Sequence, residues 1–278
     1  MAAVLALLSS ILWGSADFLG GNLSKRFKSL AVTGSSQAVS LIFGAILVVV
    51  SGGWVAPNLR WDGYVLPGIC AGIAGFLGLI AFYAALSSGR MGVVSPISSL
   101  SALIPLAVAY LQGERPKILQ LVGMAIALIG AFCSSGPEAR AASIKPLLLA
   151  ICAAIGFGTA LAFMAVGSRT SPLMTMTTMR CLTVSVCVLL AISLRSVGSL
   201  SIREFPILIA IGVTDFLANL FLGVATTKGL VSVAMVLGSL FPIMTALLAF
   251  QFLQERLHKV QYLGIFFAIF GVALISIA

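Results

Sequence analysis

The sequence predicts an all-α membrane protein whose ten transmembrane helices form two inverted five-helix repeats. Three observations support this prediction. Of the 278 residues, 60% are hydrophobic and only 8% are charged, whereas soluble domains carry about a quarter charged residues. The apolar residues fall into ten runs, each close to the roughly 20 residues that a helix needs to cross a bilayer. The second half of the chain also repeats the first.

The repeat is clearest near the end of each half. Five residues there recur at one offset, because each lies 141 positions before its counterpart (255 − 114 for the glutamates). Five identities at one register, within segments made mostly of Leu, Ala, Ile and Val, indicate a duplication. The matched residues are Glu114, Arg115, Gln120, Gly123 and Gly130, and Glu255, Arg256, Gln261, Gly264 and Gly271.

Earlier parts of the two halves match at slightly different offsets, as short insertions in loops would produce. Trp13-Gly14-Ser15 corresponds to Phe157-Gly158-Thr159, and Gly72 corresponds to Gly212. Five helices per repeat is an odd number, so the second copy enters the membrane from the opposite side. The sequence therefore predicts an inverted repeat with a pseudo-two-fold axis in the membrane plane.

Charged residues, prolines and glycines separate the predicted spans. The first span is expected to remain in the protein, because no basic segment precedes it and no small-residue cleavage signal follows a short core. Residues 1–136 form the first predicted repeat, 137–145 a linker and 146–278 the second repeat. The ten predicted spans are 2–22, 30–50, 64–86, 92–112, 118–135, 146–167, 173–194, 205–226, 231–252 and 259–277.

The net charge of +9 does not indicate nucleic-acid binding, because the basic residues are dispersed between apolar runs, where membrane proteins place them. Loops after odd-numbered spans carry more Lys and Arg than loops after even-numbered spans, which would place both termini outside. The bias is modest, and the sequence leaves the orientation open.

No cofactor or metal site is predicted. The five cysteines lie inside apolar runs, form no Cys-x-x-Cys pair and are distant in sequence from the single His258. The chain also contains no P-loop, nucleophile elbow or dinucleotide fingerprint. Transport without an ATP site would have to be facilitated diffusion or coupling to an ion gradient.

Two kinds of stretch resemble the EamA-domain branch of the drug/metabolite transporter superfamily. One is Trp13-Gly14 in the first span. The other is the end of each repeat, LAVAYLQGERP…QLVGMAIALIG in the first half and PIMTALLAFQFLQER…QYLGIFFAIFGV from Pro242. The sequence departs from the pattern at Ser101, which stands where the second half has Pro242.

The resemblance covers essentially the whole chain. It implies a secondary transporter of small metabolites or drugs, often an exporter, that holds its solute in a central cavity between the halves and works by alternating access. It also implies a multi-pass protein of the plasma membrane. An oligomer is possible but not required.

Asp17 is an ionisable residue inside the first span, and Trp13 lies one helical turn before it on the same face. A carboxylate within the membrane is costly and usually faces a cavity or a partner. The sequence leaves three interpretations of Asp17 open: a site or coupling role, solvation at the interface, or helix packing. Trp13 is expected either at a cavity wall or against lipid.

Asp215 lies near the middle of the eighth span, and Asn219 follows one turn later on the same face. Asp215 is a candidate proton carrier or a hydrogen-bonding group for a substrate. The alternative is a buried ion pair or helix–helix hydrogen bond that holds the bundle. Gly75 occupies the matching place in the first half, so the predicted site is asymmetric.

Arg180 and Gln37 occupy matching places in the second helix of each repeat, and both could project into a central cavity. Arg180 could bind a substrate anion, pair with Asp215 or Asp17, or extend to the interface. Tyr83, in the third span, is a further candidate for an apolar pocket with few polar anchors. Glu114 and Glu255 are expected to have a structural or gating role in their turns.

Two other classes of function compete with transport. A membrane enzyme acting on lipid-linked substrates would need polar residues clustered at one interface, and the sequence lacks such a cluster. A non-transporting scaffold or receptor receives no specific support from the repeat.

Overall fold

A computed structural model describes residues 1–88, 94, 97–134, 144–193, 200–253 and 258–278. The helices of the first repeat are α1 (Ala2–Ser24), α2 (Ser29–Ser51), α3 (Val65–Ser88), α4 (Leu103–Leu111) and α5 (Ile118–Ser134). Those of the second are α6 (Ile144–Ser168), α7 (Pro172–Ser193), α8 (Phe205–Lys228), α9 (Val231–Gly238), α10 (Phe241–Leu253) and α11 (Lys259–Ile277).

These helices confirm the predicted all-α fold of ten spans. Eight stretches are long and apolar enough to cross a membrane, and the shorter apolar helices Ile97–Leu111 and Ile118–Ser134 complete the set. The predicted ends agree with the helix ends because Lys, Arg, Gly and Pro stop each apolar run. The start of the fourth span and most of the predicted linker lie outside the described residues.

The ninth predicted span consists of two helices. α9 ends at Gly238 and α10 begins at Phe241. Pro242 explains the break, because proline has no N–H to donate to the carbonyl of the preceding turn. The first repeat is irregular at the matching place, since a 3₁₀ turn at Leu100–Ala102 precedes α4. The break is thus a feature of both repeats, although only the second has the proline.

The two repeats pack with the symmetry that an inverted duplication requires. The first helix of each repeat lies along the third helix of the other, so that α1 pairs with α8 and α6 pairs with α3. The last helices, α5 and α11, pair with each other. Glycine permits this last pairing, because a Cβ on Gly123 would sit 2.9 Å from the Gly271 carbonyl oxygen, and a Cβ on Gly271 would sit 2.6 Å from that of Gly123.

Candidate functional site: a cavity between the repeats

Two matching glycines bring the first helix of each repeat against the break in the other repeat. A Cβ on Gly14 in α1 would sit 2.5 Å from the Phe241 carbonyl oxygen, where α10 begins. A Cβ on Gly158 in α6 would sit 2.6 Å from the Ser101 carbonyl oxygen, in the turn before α4. Neither position has space for a larger residue. The aromatic residues that precede these glycines line the central cavity, and they are Trp13 and Phe157.

A second pair of glycines positions the polar residues. A Cβ on Gly72 in α3 would sit 3.0 Å from the Met179 carbonyl oxygen, and a Cβ on Gly212 in α8 would sit 2.5 Å from the Ser36 carbonyl oxygen. The two contacts correspond to each other in the sequence repeat. They hold α7 against α3 and α2 against α8, beside the cavity. The next residue in each of these helices is the polar one, Gln37 after Ser36 and Arg180 after Met179.

The cavity between the repeats measures about 710 Å³ when the part open to the outside is included, and about 80 Å³ of this space can hold the centres of water-sized spheres. Its wall is mostly apolar and aromatic, with a few polar side chains. The polar lining residues are Asp17, Gln37, Ser101, Arg180, Thr183, Asp215 and Asn219, and the aromatic ones are Trp13, Phe76, Phe157 and Phe241.

Asp215 is the centre of the polar cluster. Gln37 donates from Nε2 to Asp215 Oδ2 over 3.0 Å, and Asn219 donates from Nδ2 to Oδ1 over 3.2 Å. Arg180 Nη2 lies 2.9 Å from Asp215 Oδ2 and forms an ion pair with it. Both carboxylate oxygens therefore have partners.

Arg180 is held from two sides. Besides the ion pair with Asp215, its Nε donates to Ser40 Oγ over 3.0 Å. The residue is only 6% exposed, so its guanidinium does not extend to the membrane interface. The sequence left several partners open for Arg180, and the geometry selects Asp215.

The cluster joins three helices from both repeats. Gln37 and Arg180 are equivalent under the repeat, yet both reach the single carboxylate of Asp215. Gly75 lines the cavity at the equivalent place in α3 and supplies no charge. The two halves of the cavity thus have similar shapes but different electrostatics.

Asp17 lines the same cavity and differs from Asp215 in having no hydrogen-bond or ion-pair partner among the described residues. The Asp215 carboxylate lines the same cavity, and two like charges there repel each other. Trp13 lies one turn earlier on α1 and meets Phe241 edge to face, with ring centroids 6.4 Å apart. Asp17 is therefore an acceptor that nothing in the described part of the protein satisfies.

Tyr83 does not line the cavity. Its side chain is 2% exposed, and its hydroxyl packs directly against Gly20, less than one turn after Asp17 on α1. Tyr83 therefore packs against the helix that carries Asp17, outside the cavity lining.

Two lining aromatic residues, one lining threonine and the serine that binds Arg180 were not singled out from the sequence. That serine, Ser40, lies three residues after Gln37, so helical spacing could have indicated that it shares the Gln37 face. Phe241 precedes Pro242, which marks the break. Phe76 and Thr183 are typical of apolar helices and carry no signal of their own.

A hydrogen-bonded contact joins the loop between α4 and α5 in the first repeat to the start of α9 in the second repeat. Glu114, in the loop between α4 and α5, accepts hydrogen bonds from the backbone N–H groups of Val231 (2.7 Å) and Ser232 (3.0 Å) at the start of α9. A carboxylate at this place satisfies free N–H groups and complements the helix dipole. Glu114 caps a helix of the other repeat, and Gln120 caps its own helix by accepting from Lys117 N–H. Glu255 lies outside the described residues.

The fold and the cavity define a class: a multi-pass helical membrane protein built from two inverted repeats around a central chamber. The family model of the EamA-like transporter family matches residues 1–136 and 144–277. The chain belongs to this family of membrane transporters.

A solved structure described as "Crystal structure of protein" shares the fold. It superposes with a TM-score of 0.81 over 99% of this chain and 96% of that chain, at 16% sequence identity. Among the curated proteins, none matches this chain.

Proposed function

We propose that this protein is a secondary transporter that carries small solutes through the central cavity by alternating access, with a proton as the coupling ion and export as its direction. The observation that carries the proposal is the carboxylate of Asp17, which has no partner among the described residues and lies in a chamber between two inverted repeats. A carboxylate that can bind either a proton or a solute couples their movements, provided that it faces a cavity.

The contacts of the two aspartates divide their roles. Asp215 already has two hydrogen-bond donors and an ion pair with Arg180, so it holds α2, α7 and α8 together around the chamber. Asp17 has none in the described part of the protein and is available to a proton or a solute. The polar cluster lies near the middle of α2, α7 and α8 and not at their ends, which favours transport over an enzyme that acts on lipid head groups.

Flux in proteoliposomes tests this proposal. The purified protein is reconstituted, a pH gradient is imposed, and accumulation is measured for a panel of amino acids, nucleosides and organic cations. We expect at least one solute to accumulate against its gradient. We expect Asp17→Asn to abolish the accumulation that the pH gradient drives.

Asp62→Asn is the matched control, because Asp62 lies in an exposed loop and pairs only with Arg60, 3.1 Å away. Unchanged accumulation by Asp17→Asn would remove Asp17 from coupling. Absence of flux for every solute, with the protein correctly inserted, would contradict transport itself.

A further inference from the structure

The charges that line the cavity do not balance. Its titratable lining residues are two carboxylates and one guanidinium. Arg180 and Asp215 neutralise each other at 2.9 Å, which leaves the carboxylate of Asp17. An uncompensated charge in an apolar environment is unfavourable, and a bound cation removes the imbalance.

No neighbouring helix supplies that cation. The helices packed against α1 are α2, α3, α8, α9 and α10. Among their described residues, α2, α9 and α10 carry no acidic or basic side chain. α8 carries Asp215 and, at its exposed last turn, Lys228, which does not line the cavity. α3 carries Tyr83, and Arg180 on α7 is already bound to Asp215 and Ser40.

The rest of the wall fits an apolar body attached to that cation. Trp13 lies one turn from Asp17 on the same helix face, and Phe241 meets it edge to face. Phe76 and Phe157 complete the aromatic part of the lining. Aromatic faces attract ammonium groups, and they bury apolar rings.

We propose that the cavity selects amphipathic organic amines that carry one positive charge, with Asp17 binding the ammonium group and the aromatic residues binding the apolar body. This inference rests on the proposed transport function and specifies its substrate class. A proton and the amine compete for the Asp17 carboxylate, so one or the other neutralises its negative charge.

An α-amino acid of the same size fits less well. Its carboxylate cancels its ammonium, so a zwitterion leaves the imbalance in place when Asp17 is ionised. Its carboxylate would also need a cationic partner, and among the described residues of the cavity wall the only cationic side chain is Arg180, which is held by Asp215 and Ser40. Selectivity between an amine and its parent amino acid is therefore the property to measure.

Matched pairs of compounds provide the test. Tryptamine and tryptophan differ only by the carboxylate, as do phenethylamine and phenylalanine. Binding to the purified protein is measured by thermal stabilisation, and transport by uptake into proteoliposomes. We expect each amine to bind and move at least tenfold better than its amino acid. We expect Asp17→Asn to abolish this preference and Asp17→Glu to restore part of it.

The outcomes separate the two proposals. Uptake of the amino acids that equals or exceeds uptake of the amines overturns the substrate class and leaves transport intact. Binding of the amines without uptake of any solute overturns transport and leaves the preference of the site intact. Unchanged amine preference in Asp17→Asn, with Asp62→Asn as the control, overturns the assignment of Asp17 as the ammonium partner.

Discussion

At the scale of single residues, Asp17 and Asp215 show how environment divides the roles of two carboxylates in one chamber. Both lie in apolar helices and both line the cavity. Asp215 meets Arg180, Gln37 and Asn219, whereas Asp17 has no such partner in the described part of the chain. The first arrangement binds helices together, and the second leaves a group available for binding.

The ion pair leads to a prediction about stability. Arg180→Met leaves the Asp215 carboxylate without its cation, and stranding one member of a buried pair costs about 3–5 kcal/mol. We expect a lower thermal unfolding temperature in detergent, measured by tryptophan fluorescence. The double variant Arg180→Met/Asp215→Asn should recover a large part of the loss, because the amide carries no charge.

Arg203→Met is the control for the loss of an arginine, since Arg203 is exposed. An unfolding temperature of Arg180→Met equal to that of the control would show that the pair does not hold the bundle. A double variant that is less stable than Arg180→Met would also show that the ion pair does not hold the bundle.

At the scale of helices, the positions of the breaks and the glycines shape the chamber. Gly14 and Gly158 bring α1 and α6 onto the breaks of the opposite repeat. The duplication of Trp13-Gly14 as Phe157-Gly158 is visible in the sequence, but the contact that it makes is not. The surface against which each glycine packs is distant in the chain, since Phe241 lies 227 residues after Gly14 and Ser101 lies 57 residues before Gly158.

Glu114 leads to a second prediction, which concerns its hydrogen bonds to the start of α9. Replacing an N-cap acceptor typically costs about 1 kcal/mol and up to about 2, which corresponds to a factor of roughly 5–30 in an opening equilibrium. In Glu114→Ala we therefore expect the amides of Val231 and Ser232 to exchange with deuterium faster by that factor. The physical reason is that both N–H groups lose their acceptor.

Gln120→Ala is the matched control, because Gln120 caps α5 within its own repeat. It should accelerate exchange at Lys117 and leave Val231 and Ser232 unchanged. If the amides of Val231 and Ser232 were equally protected from exchange in Glu114→Ala and in the unaltered protein, Glu114 would not stabilise the start of α9.

At the scale of the whole molecule, the even number of spans puts both termini on one face of the membrane. The loops at 52–64 and 112–117 share that face, and the C-terminal carbonyl of Ala278 accepts a hydrogen bond from Lys117 Nζ. The loop between α1 and α2 lies on the opposite face, with Lys25, Arg26 and Lys28.

Cysteine labelling in intact cells tests this arrangement. In a variant without native cysteines, a cysteine at Asn58 or Gly113 should react with an impermeant maleimide under the same conditions as one added after Ala278. A cysteine at Lys25 should show the opposite accessibility. Reaction of the Lys25 and Gly113 positions from the same side would contradict the three membrane spans that separate them in the first repeat.

The sequence by itself determined the class of fold, the number of membrane spans and most of their ends. It could do so because bilayer thickness fixes the length of an apolar run and charged residues end it. The duplication at a constant offset gave the inverted symmetry, since five helices per copy is an odd number. The family resemblance rested on the same repeated stretches.

Only the tertiary structure decided which polar residues meet. Helical periodicity gives the face on which Asp215 lies, but it does not specify that Gln37, 178 residues earlier, and Arg180 converge on one of its oxygens. From its place near the middle of a span, Asp215 was the better candidate for a proton carrier than Asp17. The sequence did not show that Asp215 already has partners, because a hydrogen-bond partner is a property of the packed neighbours and not of the helix itself. For the same reason, only the structure showed that Tyr83 on α3 packs against Gly20 and does not line the cavity.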